Sequence, residues 1–222
     1  MKLLLVGYGR MGKLVDELAR ADGHEVVGRI TSATARLEWP AAEVAIDFSA
    51  PDAVGTNLSR LAGRGTNVVI GTTGWQAHRA ELQSIAEQAG IGVVASANFS
   101  VGVTIFEMLA AEAARLMRER SDYGAWIHEL HHAAKKDAPS GTALLLRDAM
   151  TSAGFPRPID VSSTRAGSIP GTHVIGFDGP SDTIELTHTA RDRRGFAQGA
   201  LVAARWVCGR RGWFSMRDVL KG

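Results

Sequence analysis

The stretch KLLLVGYGRMG, residues 2–12, decides the fold. An apolar run from Leu3 to Val6 halts at Gly7, and a short apolar run bounded by glycine reads as a buried strand. Gly7, Gly9 and Gly12 then fit the spacing G-x-G-x-x-G, and a helix is predicted from Met11 to about Ala21. Such a loop makes a tight turn, lets a pyrophosphate approach bare backbone, and offers amides at a helix N-terminus. The spacing alone is a weak signal; directly after a strand and before a helix it acquires meaning.

The alternation that starts there continues. Strands are expected at Glu25–Ile30, Glu43–Ser49, Asn67–Gly74 and Ile91–Ser96, with helices beginning near Pro51 and over Gln76–Gln88. Proline suits a first helical turn. Strands alternating with helices of this length form a parallel sheet covered on both faces. After Asn98 the pattern changes. Residues 101–118 carry Ile105, Phe106, Leu109, Ala113, Leu116 and Met117 at helical spacing. An element at Tyr123–Leu130, a helix over Gly141–Ala153, and strands at Asp160–Thr164, His173–Phe177 and Thr183–Thr189 follow. Strands without intervening helices imply a mixed or antiparallel sheet. A helix over Gly195–Val207 and the closing WFSMRDVL are expected to return to the first unit. The expected class is therefore α/β: a Rossmann-type parallel-sheet nucleotide domain (1–98 plus 195–222) and a second α+β substrate domain on a mixed sheet (99–194).

Composition excludes several partners. Hydrophobic residues make up 45% and charged residues 22% of the 222, ordinary values for a globular enzyme. The net charge of +2 is spread over scattered lysines and arginines, with no basic tract interleaved with aromatics, so no nucleic-acid partner is expected. Cys208 is the single cysteine, which excludes an intrachain disulfide or a multi-cysteine metal site. The opening apolar run breaks too early for a signal peptide. No stretch approaches the roughly 20 apolar residues of a membrane span. A cytoplasmic protein is expected.

Three further stretches carry candidate chemistry. An acidic residue that binds the ribose hydroxyls usually follows the glycine motif by about 20 positions. Here that place reads GRITSAT, with no acid between Glu25 and Glu38; Ser32, Arg29 and Arg36 stand there instead. GTTG, Gly71–Gly74, is a bare turn after the fourth strand, and ANFSVG, Ala97–Gly102, follows the fifth. Ligands of open parallel sheets lie outside such strand ends. The densest stretch is ELHHAAKKDAPSGTA, residues 129–143. Ser140 is placed to cap a helix whose first amides, with the Thr142 hydroxyl, make an anion site. Lys135 and His132 add positive charge, and His131 is suited to proton transfer near neutral pH. Adjacent histidines without acids or cysteines at ligand spacing fit zinc poorly, so no metal is expected.

The run E-x-H-H-x-x-x-K-x-D-x-P-S-G-T-A closely resembles the signature of the dihydrodipicolinate reductase (4-hydroxy-tetrahydrodipicolinate reductase) family. VGYGRMG, DFS, GTTG, ANFSVGV, RAGSIPGTH and WFSMRDVL extend the resemblance over nearly the whole chain, which looks trimmed beside longer members. The resemblance implies reduction of a cyclic unsaturated imine dicarboxylate by NADPH or NADH in lysine and diaminopimelate synthesis. It implies His131 as general acid and base and Lys135 as proton donor. His132, Gly141 and Thr142 would hold a substrate carboxylate. Gly7, Tyr8, Gly9, Arg10, Met11, Gly12, Ser32, Gly71, Thr72, Thr73, Ala97, Asn98, Phe99 and Ser100 would hold the cofactor. It also implies a homo-oligomer, a tetramer. Another dehydrogenase on the same scaffold would not need the HH-x-x-x-K and PSGT combination. A non-catalytic NAD(H) sensor would be expected to carry a DNA-binding segment, and none is visible.

Overall fold

Leu3, Leu4, Leu5 and Val6 are all buried, yet they serve two different cores. Successive side chains of a strand point to opposite faces. In β1 (Lys2–Val6), Leu3 and Leu5 enter one hydrophobic cluster while Leu4 and Val6 enter another. The computed structural model describes residues 1–222. After β1 come α1 (Arg10–Ala21), β2 (Glu25–Ile30), β3 (Val44–Asp47), α2 (Val54–Ala62), β4 (Asn67–Ile70), α3 (Arg79–Ala89), β5 (Gly92–Ala95) and α4 (Val101–Leu116). Next are β6 (Gly124–His131), α5 (Gly141–Ser152), β7 (Ile159–Arg165), β8 (Thr172–Asp178), β9 (Thr183–Thr189), α6 (Arg194–Val207), β10 (Gly212–Phe214) and α7 (Met216–Lys221).

Six strands form a wholly parallel sheet in the order β10-β5-β4-β3-β1-β2. One face is covered by α1, α6 and α7: Val15, Leu18, Ala200, Leu201 and Val219 pack on Leu3, Leu5, Ile46 and Val94. The other face takes α2 and α3 through Leu58, Leu61, Leu82 and Ala86. Each fully buried leucine contributes about 1.5–3 kcal/mol relative to an exposed one. Leu5→Asp would lose that and bury an unpaired charge, enough to break the sheet.

Two features refine the sequence pattern. Asn67–Gly74 was expected to be a strand ending in a glycine turn; β4 closes at Ile70, because the amides of Gly71 and Thr72 both turn to the Asp47 carbonyl, at 2.9 and 3.2 Å. WFSMRDVL holds a strand and a helix of its own. β10 extends the sheet beside β5, and Trp213 meets Trp75 edge-on at 5.8 Å. Ser215 and Asp218 form a capping box that starts α7. A three-residue strand has no period to read.

The second sheet has the order β7-β6-β8-β9, with β6 and β7 parallel and the other pairs antiparallel. Its core joins Ala125, Ile127, Ile175 and Phe177 to Phe106, Ala110 and Ala114 of α4 and Leu146 and Met150 of α5. Helix α4 thus buries only part of the expected face: Phe106, Ala113 and Met117 pack on this core. Ile105, Leu109 and Leu116 are exposed, and the alanines that let the helix approach the sheet face inward. The chain divides into two compact units, 1–101 with 193–222, and 102–192; the sequence pattern placed the cuts at 98/99 and 194/195.

Candidate active site

Within the first unit the strand order reverses at β1, flanked by β2 and β3, and ligands of open sheets enter at such a point. Three glycines shape it for different reasons. Gly7 has φ +87°, and a Cβ there would lie 2.2 Å from the Phe48 carbonyl oxygen. A Cβ on Gly12 would lie 2.1 Å from the Gly7 oxygen, so this glycine seats α1 against the loop. Gly9, the N-cap of α1, would meet nothing within 4 Å. Its space is open on the side where a ligand would come.

Two clefts flank this loop. One of about 440 Å³ is lined by Gly9, Arg10, Met11, Gly71, Thr72, Thr73 and Arg193. Its two guanidinium groups and bare loop suit a diphosphate. The other, about 460 Å³, is lined by Gly7, Tyr8, Gly9, Thr31, Ser32, Ala53 and Asn57 among others, and no charged side chain lines it. The residues therefore fit a dinucleotide. Arg193 was not foreseen; it sits far along the sequence, and only the fold brings it to the loop.

Arg29 does not serve as the phosphate partner that its place in the sequence suggested. It donates two hydrogen bonds to Asp16, at 2.8 and 2.9 Å. Arg20 and the Tyr8 hydroxyl donate to the same carboxylate. These donors, Arg29 foremost, outweigh burial and hold Asp16 at about 2. The Asp47 carboxylate at the end of β3 also escaped the sequence reading. It is buried and accepts from the Ser49 amide and hydroxyl, Thr72 Oγ1 and Asn57 Nδ2, at 2.6–2.9 Å. It ties the DFS segment to GTTG. In ANFS, Ala97 is exposed and Asn98 half-buried, with Asn98 Oδ1 accepting from the Ser100 amide at 2.8 Å. Phe99 is buried, edge-on to Phe48, so its ring belongs to the core.

The second unit gathers the other candidates at the end of β6. Residues two apart on a strand share a face, so Glu129 and His131 both point inward with Ala125 and Ile127. Glu129 is fully buried. It meets His131 Nδ1 and accepts from Arg165 Nη1 and Nη2 at 2.9 and 2.6 Å and from the Ser140 amide at 3.2 Å. Burial alone would raise its pKa, but Arg165, Ser163 and His131 together pull it down to about 2. His131 lies edge-on to His173, ring centres 5.2 Å apart. His173 Nε2 bonds Ser140 Oγ at 3.0 Å. Burial, helped by the neighbouring His131, pushes His173 down to about 4.

Ser140 caps α5, accepting from the Ala143 amide at 3.2 Å; Gly141 is exposed and Thr142 half-buried at its first turn. His132 and Lys135 follow β6 in a turn closed by the Lys135 amide on the His132 carbonyl. Lys135 Nζ is held by both Asp137 oxygens at 2.7 and 2.8 Å. Glu129, Arg165 and His173 were absent from the sequence-based site. The signal for the first was present: in E-x-H on a strand, both side chains take one face.

A parallel sheet with a bare glycine loop, carried in one chain with a buried carboxylate–histidine cluster, defines the class of two-unit nicotinamide-dependent oxidoreductases. Within that class the chain belongs to the dihydrodipicolinate reductase family. Sequence models of the family's N-terminal and C-terminal parts match residues 1–99 and 102–220. It is 35% identical to 4-hydroxy-tetrahydrodipicolinate reductase of Christiangramia forsetii, covering 99% of this chain and 98% of that one. It is also 35% identical to the protein of that name from Thermosipho africanus, covering 100% and 98%. Such coverage means that these relatives share the short form. The dipicolinate-bound dihydrodipicolinate reductase from Paenisporosarcina sp. TG-14 has a similar fold, with TM-score 0.83, 20% identity and 97% of each chain covered. No helix is long and apolar enough to cross a membrane.

Proposed function

We propose that this chain reduces the cyclic, α,β-unsaturated imine dicarboxylate formed from 4-hydroxy-tetrahydrodipicolinate, yielding tetrahydrodipicolinate for lysine and diaminopimelate synthesis. The observation that carries this reading is the match to the reductase family over both halves of the chain. NADPH or NADH, when bound, supplies the hydride. The glycine loop and the Arg10–Arg193 cleft hold the diphosphate, and Gly71–Thr73 and Ala97–Ser100 border the nicotinamide side. The first amides of α5, with the Thr142 hydroxyl and His132, hold a substrate carboxylate. His131 delivers the proton that completes the reduction, and Lys135 leaves Asp137 to assist it. Hydride addition drives electron density toward the ring nitrogen and the neighbouring carbon, so a fixed acid and cation there favour the transition state.

The test is loss of reduced-nicotinamide absorbance in a reaction coupled to the synthase that makes the unstable substrate. Turnover supports the reading, and cofactor binding with no turnover overturns it. A cytoplasmic location, where reduced nicotinamides are regenerated, belongs to the same reading. So does a homo-oligomer. On the second sheet the face opposite the helices carries half-buried Trp126, Leu130 and Val174, and a native mass would show whether four copies assemble.

A further inference from the structure

We propose that Glu129 is the positioning residue for His131: it fixes the imidazole as its Nδ1–H tautomer, turns Nε2 toward the reacting molecule, and is itself held by Arg165. The inference rests on the reading of His131 as the proton-handling group. An ionised carboxylate only accepts hydrogen bonds. With Glu129 ionised, the close contact at His131 Nδ1 therefore requires the proton on that nitrogen. The opposite edge of the ring is left for chemistry. A Cβ on Gly171, where φ is +141°, would lie 3.1 Å from His131 Nε2, so a glycine keeps that edge clear.

Arg165 does for Glu129 what Glu129 does for the histidine. Its strand position pairs with His131 in register, and its guanidinium turns back to grip both carboxylate oxygens. Two further donations, to the carbonyls of Thr164 and Asp137 at 2.8 and 2.6 Å, fix the guanidinium. A bidentate arginine of this kind gives geometric definition as well as energy. The remaining titratable neighbours do not compete for the role. His173 is buried, which disfavours its charged form, and its Nε2 shares a hydrogen bond with Ser140 Oγ at 3.0 Å. Lys135 is paired with Asp137. Donor atoms of Glu129, His131 and His173 lie within 4.8 Å of one another, but the guanidinium already on the carboxylate opposes a cation there.

The experiment joins activity to a reading of the ring itself. In Glu129→Gln, the amide oxygen stays with Arg165 Nη2 and the Ser140 amide, which places the amide NH₂ at His131 Nδ1. The imidazole is then driven to the Nε2–H tautomer, and its protonated form loses its acceptor. We expect kcat to fall about 10²-fold or more, the scale for a misplaced general acid, with KM little changed. The high-pH limb of kcat/KM should move to lower pH. In ¹⁵N-histidine spectra, neutral His131 should be Nδ1–H in the wild type and Nε2–H in the variant. Either an Nε2–H wild type or a variant with unaltered pH limb and tautomer overturns the proposal, whatever its thermal stability. The wild-type spectrum needs no folded variant. It is also independent of turnover, so a protein that fails to oxidise NADPH would sink the functional reading while leaving the tautomer question answered.

Discussion

At the end of β1, one added carbon at Gly7 would press within 2.2 Å of a backbone oxygen. At the end of β6, removing one carboxylate at Glu129 would leave Arg165 and His131 without their shared partner. The two regions are built on opposite principles. The first unit works through backbone kept bare, with Arg20 and Arg29 tied off into Asp16 and only Arg10 and Arg193 turned to the cleft. The second works through ionised side chains kept dry and pointed at one another. Additions should therefore break the first region, and deletions the second.

The largest expected effect is Gly7→Ala. A left-handed φ costs a residue with a Cβ about 1–2 kcal/mol, and the clash adds to it. A fall in Tm of more than about 10 °C is expected, since each kcal/mol is about 2–4 °C at this size. Gly9→Ala, with nothing within 4 Å, should keep its Tm within about 2 °C. It should still weaken NADPH binding about tenfold, worth about 1.4 kcal/mol. Equal stability of the two variants would contradict the distinction between a packed and a ligand-facing glycine.

Next come deletions in the second unit. His131→Ala and Lys135→Ala should each lower kcat by about 10²-fold or more. Thr142→Val should chiefly raise KM, since it removes a contact present in ground and transition states alike. Near-wild-type turnover in either of the first two would end the assignment of the proton groups.

The dry cluster also has a pH signature. His173 titrates near 4 when folded and near 6.5 when unfolded. Between those values the unfolded chain binds more protons, so stability rises with pH across that window and is lost as pH falls through it. The slope from this group reaches at most about 1.4 kcal/mol per pH unit. Urea unfolding of His173→Asn should lack that component, and an unchanged slope would place the histidine outside the dry core.

The smallest effect concerns the cofactor's 2′ position. The cleft at Ser32 has no lining charge, and Arg29 is committed to Asp16. NADPH should serve at least as well as NADH, and Arg29→Ala should leave their ratio within about threefold. A preference for NADH above about tenfold, 1.4 kcal/mol, would reveal an acid guarding the ribose.

Much of this was legible along the chain. The glycine-bounded apolar run in KLLLV, the glycine spacing after it, and the helix–strand alternation to Ala95 are local patterns, and local sterics make them fold as they read. HH-x-x-x-K and PSGT likewise mark the second candidate site by position. The side on which α4 packs was legible only in part, since Phe106, Ala113 and Met117 turn inward as their spacing suggests, while Ala110 and Ala114 take the places that no hydropathy pattern records.

The sequence by itself therefore determined two things: that the chain builds a nucleotide-type sheet, and that the candidate proton and anion groups crowd between Glu129 and Thr142. The tertiary structure alone decided which charges are available. Arg29 was claimed by Asp16, 13 residues away, and Arg165 by Glu129, 36 residues away, while Arg193 was brought to the glycine loop. The physical reason is that a charge's partner is set by distance in space and by the water excluded around it, and neither is a property of neighbours in the chain.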